Sequence, residues 1–321
     1  MKIPKVSVLM PVYNAAPFLQ EAIDSILSQT FTDFEFIIIN DGSTDESPEI
    51  IQSYQDSRIR YFSQENKGVS RSLNQGLTYC RGKYIRRFDS DDIAGHEEIQ
   101  TQYDFLESNE EVGLVSMQVR YITSNGKKSY LFREPSPAFF KGEERKTISV
   151  DDFNPNCPVV HGTVLMRRDL VTKLGGYRTA FLTSEDTDLW LRMMDESKIV
   201  VLNRCTYFFR LGNASATEKH KLTLGYYKSK AIEYALERIQ KGSDPLMRGG
   251  KLEHPMPEKY QKKPGRTFRS DLLSYLYKVA WNARDLKMVT KIIAISLKDG
   301  FLCGRTWRAL FYPVRQKLRV G

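Results

Sequence analysis

Within its first ninety residues the chain switches repeatedly between apolar runs of strand length and segments with helical spacing. Residues 6–10 form a buried-strand run stopped by Pro11, and 15–28 carry Phe18, Leu19, Ala22, Ile23, Ile26 and Leu27 on one helical stripe. Residues 34–39 give the strongest strand signal, closed by Asn40-Asp41-Gly42-Ser43-Thr44-Asp45, a turn rich in helix-capping residues. A third strand at 58–62, a helix at 68–79 and a fourth strand at 83–88 complete the series. Such alternation predicts an α/β fold, a mostly parallel sheet with helices on both faces. Ligands of open sheets bind outside the carboxyl ends of the strands. Tyr13, Asp41 and the stretch from Asp89 to Asp92 all fall at such ends, so one crevice is predicted to hold them.

The fourth strand stops in Asp89, Asp91 and Asp92, three carboxylates within four positions. Clustered like charges raise one another's pKa values. A hard divalent cation relieves that repulsion and prefers oxygen ligands shared with a phosphate. The same residues also read as an acidic loop capping a helix that starts near Ile93.

Beyond residue 116 the regular alternation lapses. Asn125-Gly126 between strand-like stretches signals a hairpin, and 136–156 is irregular. A strand at 162–166, helices at 167–174 and 187–194, and two short strands at 199–202 and 206–210 follow. The last hundred residues are predicted helical, with spans at 222–240, 268–283, 286–297 and 306–318 and a polar connector over 242–265.

The net charge of +9 is unevenly placed. Residues 219–321 hold 23 Lys and Arg against 8 Asp and Glu, so the first 218 residues are net acidic. This predicts two parts, a sheet domain over 1–218 and a basic helical region over 219–321. No apolar run approaches the roughly 20 residues that span a bilayer, and the N-terminus enters a strand with no signal-peptide pattern. The four cysteines are scattered, which disfavours zinc or a disulfide framework and fits a cytoplasmic protein.

Four separated segments resemble the inverting family 2 glycosyltransferases of the GT-A fold. They are KVSVLMPVYN at 5–14, FEFIIINDGSTD at 34–45, the stretch 66–92 running into Asp89-Ser90-Asp91-Asp92, and 161–192 with its Ser184-Glu185-Asp186. The resemblance implies a GT-A Rossmann-like sheet and transfer of a hexose or N-acetylhexosamine from a nucleoside diphosphate sugar, UDP-linked in the first instance. The acceptor would be a hydroxyl of a glycan or lipid-linked molecule in surface-polysaccharide or lipopolysaccharide assembly. It further implies Pro11, Tyr13, Asp41, Asp89 and Ser90 on the nucleotide sugar, Asp91 on a Mn²⁺ or Mg²⁺ ion, and Asp186 as general base. Asp92, Arg71, Arg87, His161 and Glu185 stand as further candidates. One departure bears on the metal: many relatives carry Tyr-Arg-x-His after the last core strand, whereas Gly212 stands at the histidine position here. His220 is the nearest substitute.

Taken without the resemblance, several of these residues read otherwise. Asp41 reads as a turn residue, Tyr13 as a strand-end aromatic, and Glu185, Asp186 and Asp188 as an acidic first turn favoured by the helix dipole. Arg87 reads as a paired structural arginine. Within the family, dTDP- or GDP-linked donors are the alternatives. A sugar nucleotidyltransferase lacks its Gly-rich loop at Pro11-Val12-Tyr13-Asn14, and the basic region shows no nucleic-acid-binding motif. An anionic membrane surface, at the cytoplasmic face of the plasma membrane, is the partner predicted for that region.

Overall fold

The computed structural model describes residues 3–122, 128–134, 137–153, 157–210 and 221–254. The spans predicted at 268–283, 286–297 and 306–318, the Asn125-Gly126 turn, Gly212 and His220 lie outside the described residues. The chain divides into two units. One comprises 1–119, 134–208 and 223–254, and the other 120–133, 209–222 and 255–321. In the second, the described residues are strand residues 120–122, 128–133 and 209–210 and the first two residues of a helix, 221–222, with the Tyr121 and Phe209 rings edge to face at 5.8 Å.

The first unit is built on a mixed sheet. β1 (Val6–Val12), β2 (Phe34–Asp41), β3 (Ile59–Gln64) and β4 (Tyr84–Arg87) pair in parallel in the order β3-β2-β1-β4. β9 (Leu165–Arg167) then pairs antiparallel with β4, and β6 (Val112–Ile122) antiparallel with β9. β10 (Lys198–Arg210) follows β6, and β5 (Ile93–Ala94) pairs antiparallel with β10 at the edge. β8 (Arg145–Thr147) pairs β10, and β7 (Lys128–Glu134), whose residues 128–133 belong to the second unit, pairs β6. The chain runs outward from β1 to β3 and then returns to β1's other side, so the order reverses between β1 and β4. Open α/β sheets bind ligands at that switch point.

Pro11 does not end β1. β4 pairs β1 only as far as Leu9↔Arg87, whereas β2 pairs it through Val12↔Asn40. Pro11 therefore sits where the strand has lost one neighbour, a place that tolerates a missing N–H. The same loss opens the sheet beside the end of β4.

α1 (Ala16–Leu27) buries Leu19, Ala22, Ile23 and Ile26, the predicted stripe. Its N-terminus is capped from another loop. Asp45 Oδ2 accepts from the Ala16 N–H and Ser47 Oγ from the Ala15 N–H, each at 3.0 Å. α2 (Ser47–Gln52) is short, and α3 (Val69–Tyr79) packs on β1 and β2 through Leu73 and Gly76. The helix predicted near Ile93 is displaced. Residues 93–94 are drawn into β5 by pairing with Tyr207 and Phe208, and α4 (Glu98–Glu107) starts five residues later.

α5 (Arg168–Lys173) and α6 (Glu185–Met194) follow β9. The residues predicted as a strand from 162 begin instead with a 3-10 turn, His161–Thr163. α7 (Lys221–Lys241) sends Tyr227, Ala231, Tyr234 and Ala235 into the core of the first unit. Four side chains of that size are worth several kcal/mol, at about 25 cal/mol per Å² of apolar surface removed from water.

Candidate active site

Three pieces of chain meet around the guanidinium of Arg87. β4 supplies Arg87, which is 5% exposed although it points along the sheet's open end. Beyond it the Phe88 N–H donates to the Leu9 carbonyl, so the strand holds until Asp89 leaves it. Arg87 ion-pairs with Asp89 Oδ2. The charge of Arg87 also acts on Glu185, Asp186 and His161. Of the residues predicted from sequence, Asp89, Arg87, His161, Glu185 and Asp186 are thus brought together.

The carboxylates after β4 differ from one another. Asp92 is 2% exposed, and Tyr207 Oη donates to its Oδ2 at 2.7 Å. The Tyr207 hydroxyl also reaches Asp89 Oδ2 at 3.4 Å. Burial, followed by the Asp92 charge, keeps that phenol protonated and able to donate. Ser90 and Asp91 lie on the turn between, only partly buried. Gly162 makes this packing possible: a Cβ there would come within 2.1 Å of Tyr207 Oη and 2.7 Å of Asp89 Oδ2.

Among the described residues, no three His, Cys, Asp or Glu side chains stand together as a preformed metal cage. The carboxylates at the β4 end are oxygen donors, with Asp89 and Asp91 partly open to solvent. Such a set fits Mg²⁺ or Mn²⁺ taken up with a phosphate-bearing ligand, because such ions need only one or two carboxylates alongside phosphate and water.

The carboxylates predicted for the acceptor side ride on the first turn of α6. Ser184, at the helix N-cap, adopts φ +60°, a left-handed conformation that costs a non-glycine residue about 1–2 kcal/mol. That turn directs Glu185 and Asp186 back toward Arg87. Asp186 Oδ1 accepts from its neighbour's backbone, Thr187 N–H at 2.6 Å, which fixes the carboxylate. Burial, and next the Asp186 charge, raise the Glu185 carboxyl. Burial also raises Asp186, opposed by the Thr187 N–H and by Arg87. Asp186 is the more accessible of the two. Asp188 faces the other way, 1% exposed, against Arg178 and Arg192.

His161 shares a 2.9 Å hydrogen bond, through Nε2, with Tyr177 Oη, and its ring lies against Trp190. Burial and then the Arg87 charge hold it well below its ordinary pKa, so it is neutral near pH 7.

The nucleotide-side candidates are placed less uniformly. Tyr13 is 46% exposed at the end of β1, beside the half-buried Pro11. Asp41 is buried at the end of β2 and already engaged. Its Oδ1 accepts from Gln64 Nε2 at 2.8 Å and the Lys67 N–H at 2.9 Å, and its Oδ2 from the Gly68 N–H at 2.9 Å. It therefore shapes the 64–68 loop first. Arg71 stands apart, exposed on α3, with only a 3.4 Å contact to the Lys67 carbonyl.

Sequence reasoning did not find Tyr207 or Tyr177. Tyr207 enters through β10 pairing, with no local signature beyond an aromatic in an apolar run, and Tyr177 through the turn after α5, where it follows Gly175-Gly176 within the family-like segment but carries no assigned role.

The sequence profile described as "Glycosyl transferase family 2" matches residues 7–175. The chain is 31% identical over 242 residues to the O-antigen biosynthesis glycosyltransferase WbnJ of Escherichia coli, spanning 74% of this chain and 89% of that one. An uncharacterized glycosyltransferase of Methanocaldococcus jannaschii is 32% identical over 237 residues, 71% of this chain and 79% of its own. Among solved structures, residues 1–349 of TarS from S. aureus in complex with UDP-GlcNAc superpose with a TM-score of 0.58. That pair shares 16% identity over 92% of each chain, so the likeness is one of fold.

Proposed function

The chain belongs to glycosyl transferase family 2, and from that premise we propose a metal-dependent, inverting transfer from a nucleoside diphosphate sugar to a hydroxyl acceptor. The fold is of the GT-A type, as the TarS superposition and the strand order agree. The sugar is a hexose or N-acetylhexosamine, UDP-linked. The acceptor is a glycan or lipid-linked hydroxyl in surface-polysaccharide assembly. WbnJ, named for O-antigen biosynthesis, and TarS, solved with UDP-GlcNAc, support this substrate class. The catalytic groups are assigned within residues 1–218, and residues 219–321 form a basic region that meets an anionic membrane surface at its cytoplasmic face.

The observation that carries the reading is the meeting of donor-side and acceptor-side carboxylates around one buried arginine. Tyr13, Pro11 and Asp41 take the base and ribose end, where Asp41 acts by holding the 64–68 loop and by the remaining acceptor capacity of Oδ2. Asp89 and Ser90 follow the ribose and diphosphate, and Asp91 holds the cation. A bound Mn²⁺ or Mg²⁺ supplies Lewis-acid stabilisation of the diphosphate, worth several kcal/mol. From the other face Asp186 takes the proton of the acceptor hydroxyl as its oxygen bonds to the anomeric carbon. The bond from that carbon to the diphosphate breaks, and the nucleoside diphosphate leaves with the electron pair. Attack opposite the leaving group inverts the anomeric centre. Glu185, raised by burial and by the Asp186 charge, holds the proton that two adjacent carboxylates cannot both lose.

Thermal stabilisation by UDP-, dTDP- and GDP-sugars, each with and without Mn²⁺, tests the reading. Binding to the folded state alone raises the midpoint by mass action. UDP-sugars should shift it only with the metal, and Asp91→Ala should abolish both shift and turnover. Full activity of Asp91→Ala in chelator-treated buffer overturns the metal assignment, and a dTDP- or GDP-only response overturns the UDP assignment.

A further inference from the structure

The turn that carries the strand-end carboxylates is short and held at both ends. On the near side the Phe88 N–H donates to the Leu9 carbonyl at 3.0 Å. On the far side Ile93 and Ala94 pair with Phe208 and Tyr207 of β10, and the Gly95 N–H donates to the Thr206 carbonyl at 2.5 Å. Only Asp89, Ser90, Asp91 and Asp92 lie between these anchors.

Tyr207 serves that turn twice. Its backbone is the partner of Ala94, and its side chain reaches back into the turn. There the hydroxyl donates to Asp92 Oδ2 at 2.7 Å and lies 3.4 Å from Asp89 Oδ2. The ring behind that hydroxyl is fully buried and fixed on other sides. Phe88 meets it edge to face at 5.8 Å, and the Arg86 guanidinium lies 5.7 Å from its centroid. Gly162 closes against it so tightly that a Cβ there would come 2.6 Å from Tyr207 Cζ. Packing therefore sets the place of the hydroxyl.

A phenol donates one proton and carries no charge. It can hold one carboxylate of the three without adding a cation that competes with a metal ion. Asp92, buried, is turned inward onto it, while Asp89 is drawn to the Arg87 guanidinium on β4. Asp91 lies between these two, partly exposed. With one carboxylate anchored before it and one after it, the Asp91 backbone is confined to a narrow range of positions. Bonds to ionised acceptors are the strong ones, so the Tyr207 contact is well suited to that task.

We infer that Tyr207 is a positioning residue of the transfer reaction: by holding Asp92 inward it fixes the turn that presents Asp91 to the cation. This rests on Asp91 holding the cation.

The test uses full-length protein with saturating UDP, Mn²⁺ binding being read from the loss of the free-ion electron paramagnetic resonance signal. Tyr207→Phe removes the hydroxyl alone and should raise the Mn²⁺ Kd by ~10-fold or more, the usual effect of losing a partner that orients metal ligands. A tyrosine that served only the packing of β10 would lower the melting temperature in this variant and leave the Kd where it was. Asp92 probes the same bond from its other end. Asp92→Asn keeps an oxygen for the Tyr207 O–H to reach, so its Kd should stay within about threefold of native. Asp92→Leu keeps the size, offers no acceptor, and should match Tyr207→Phe. If Tyr207→Phe fails to fold, the two Asp92 variants carry the test.

An unmoved Kd in Tyr207→Phe overturns the inference. So does a loss in Asp92→Asn as large as that in Asp91→Ala, because Asp92 is then a ligand and not an anchor. If the native chain takes up no Mn²⁺ with UDP, or Asp91→Ala takes it up equally well, the metal assignment fails and the inference falls with it, a result reached without the Tyr207 variant.

Discussion

Ionising Glu185 and Asp186 costs the folded chain free energy, because burial raises both carboxyls above their ordinary values. A raised folded-state pKa means that the native protein binds these protons more tightly than the unfolded chain does. Their contribution to stability is thus best at acid pH and is lost as pH rises from the ordinary carboxylate range through the raised values. Asp186→Asn and Glu185→Gln should both melt higher than the native chain at pH 7, with the gain vanishing near pH 4. One kcal/mol corresponds to ~2–4 °C in a domain of this size. Only Asp186→Asn should lose transfer, by ~10²-fold or more, since an amide takes no proton at neutral pH. If Glu185→Gln were dead and Asp186→Asn active, the pair would be assigned the wrong way round. Much of this site is legible in the sequence because its carboxylates sit in short local patterns, at the end of one strand and the start of one helix. Tyr207 is not, since its bond to Asp92 depends on pairing across more than a hundred residues. Asp41 shows the opposite error. Its place beside Gly42 is readable, but the three hydrogen bonds that occupy its carboxylate come from the 64–68 loop.

At the scale of elements, α6 is held by charge as much as by apolar packing. Asp188 and Asp244 are buried carboxylates joined by three arginines. Arg192 Nε donates to Asp188 at 2.9 Å, Arg178 bridges Asp188 and Asp244, and Arg238 donates to Asp244 at 3.0 Å. The network ties α6 to the turn after α5 and, through Arg238, to α7. Asp244→Ala removes one of two carboxylates from each of Arg178 and Arg238, which keep Asp188 and Asp195, and breaking a buried pair costs up to ~3–5 kcal/mol. Chemical denaturation should show that loss with an unchanged slope, whereas a loss below 1 kcal/mol would mean that solvent replaces the carboxylate. The sequence pointed to α6 and α7 but not to what joins them, because Arg178, Asp188, Arg238 and Asp244 are spread over 67 positions. Strand boundaries failed for a related reason. Residues 199–202 and 206–210 read as two strands because Asn203, Arg204 and Cys205 interrupt the apolar pattern, yet β10 runs unbroken from Lys198 to Arg210. Those three residues are partly or fully exposed, so their side chains lose the pattern while the backbone keeps its ladder.

On the scale of the whole molecule, charge is divided more sharply than solubility requires. Residues 219–321 carry 23 of the 48 Lys and Arg but only 8 of the 39 Asp and Glu. Part of that region is spoken for by packing, since α7 buries Arg238 against Asp195 and Asp244. The larger share, from Lys262 onward, lies in segments whose sequence interleaves cations with Leu272, Leu273, Leu276, Trp307, Leu310 and Phe311. No apolar run in the sequence of those segments approaches the roughly 20 residues that span a bilayer, so the hold proposed for them is interfacial. Each Lys or Arg near an anionic leaflet contributes about 1 kcal/mol, and the attraction decays within a Debye length. Six or seven such contacts give reversible attachment, which suits the lipid-linked acceptor proposed above. The full chain should therefore float with anionic vesicles at low salt and be released at high salt. A full-length variant with Lys262, Lys263, Arg266, Arg269, Lys317 and Arg319 changed to Gln should stay behind, with its donor-induced thermal shift intact. Equal flotation of the two proteins, or indifference to lipid charge, would assign the basic residues to scaffold and leave the acceptor to diffuse to the site unaided.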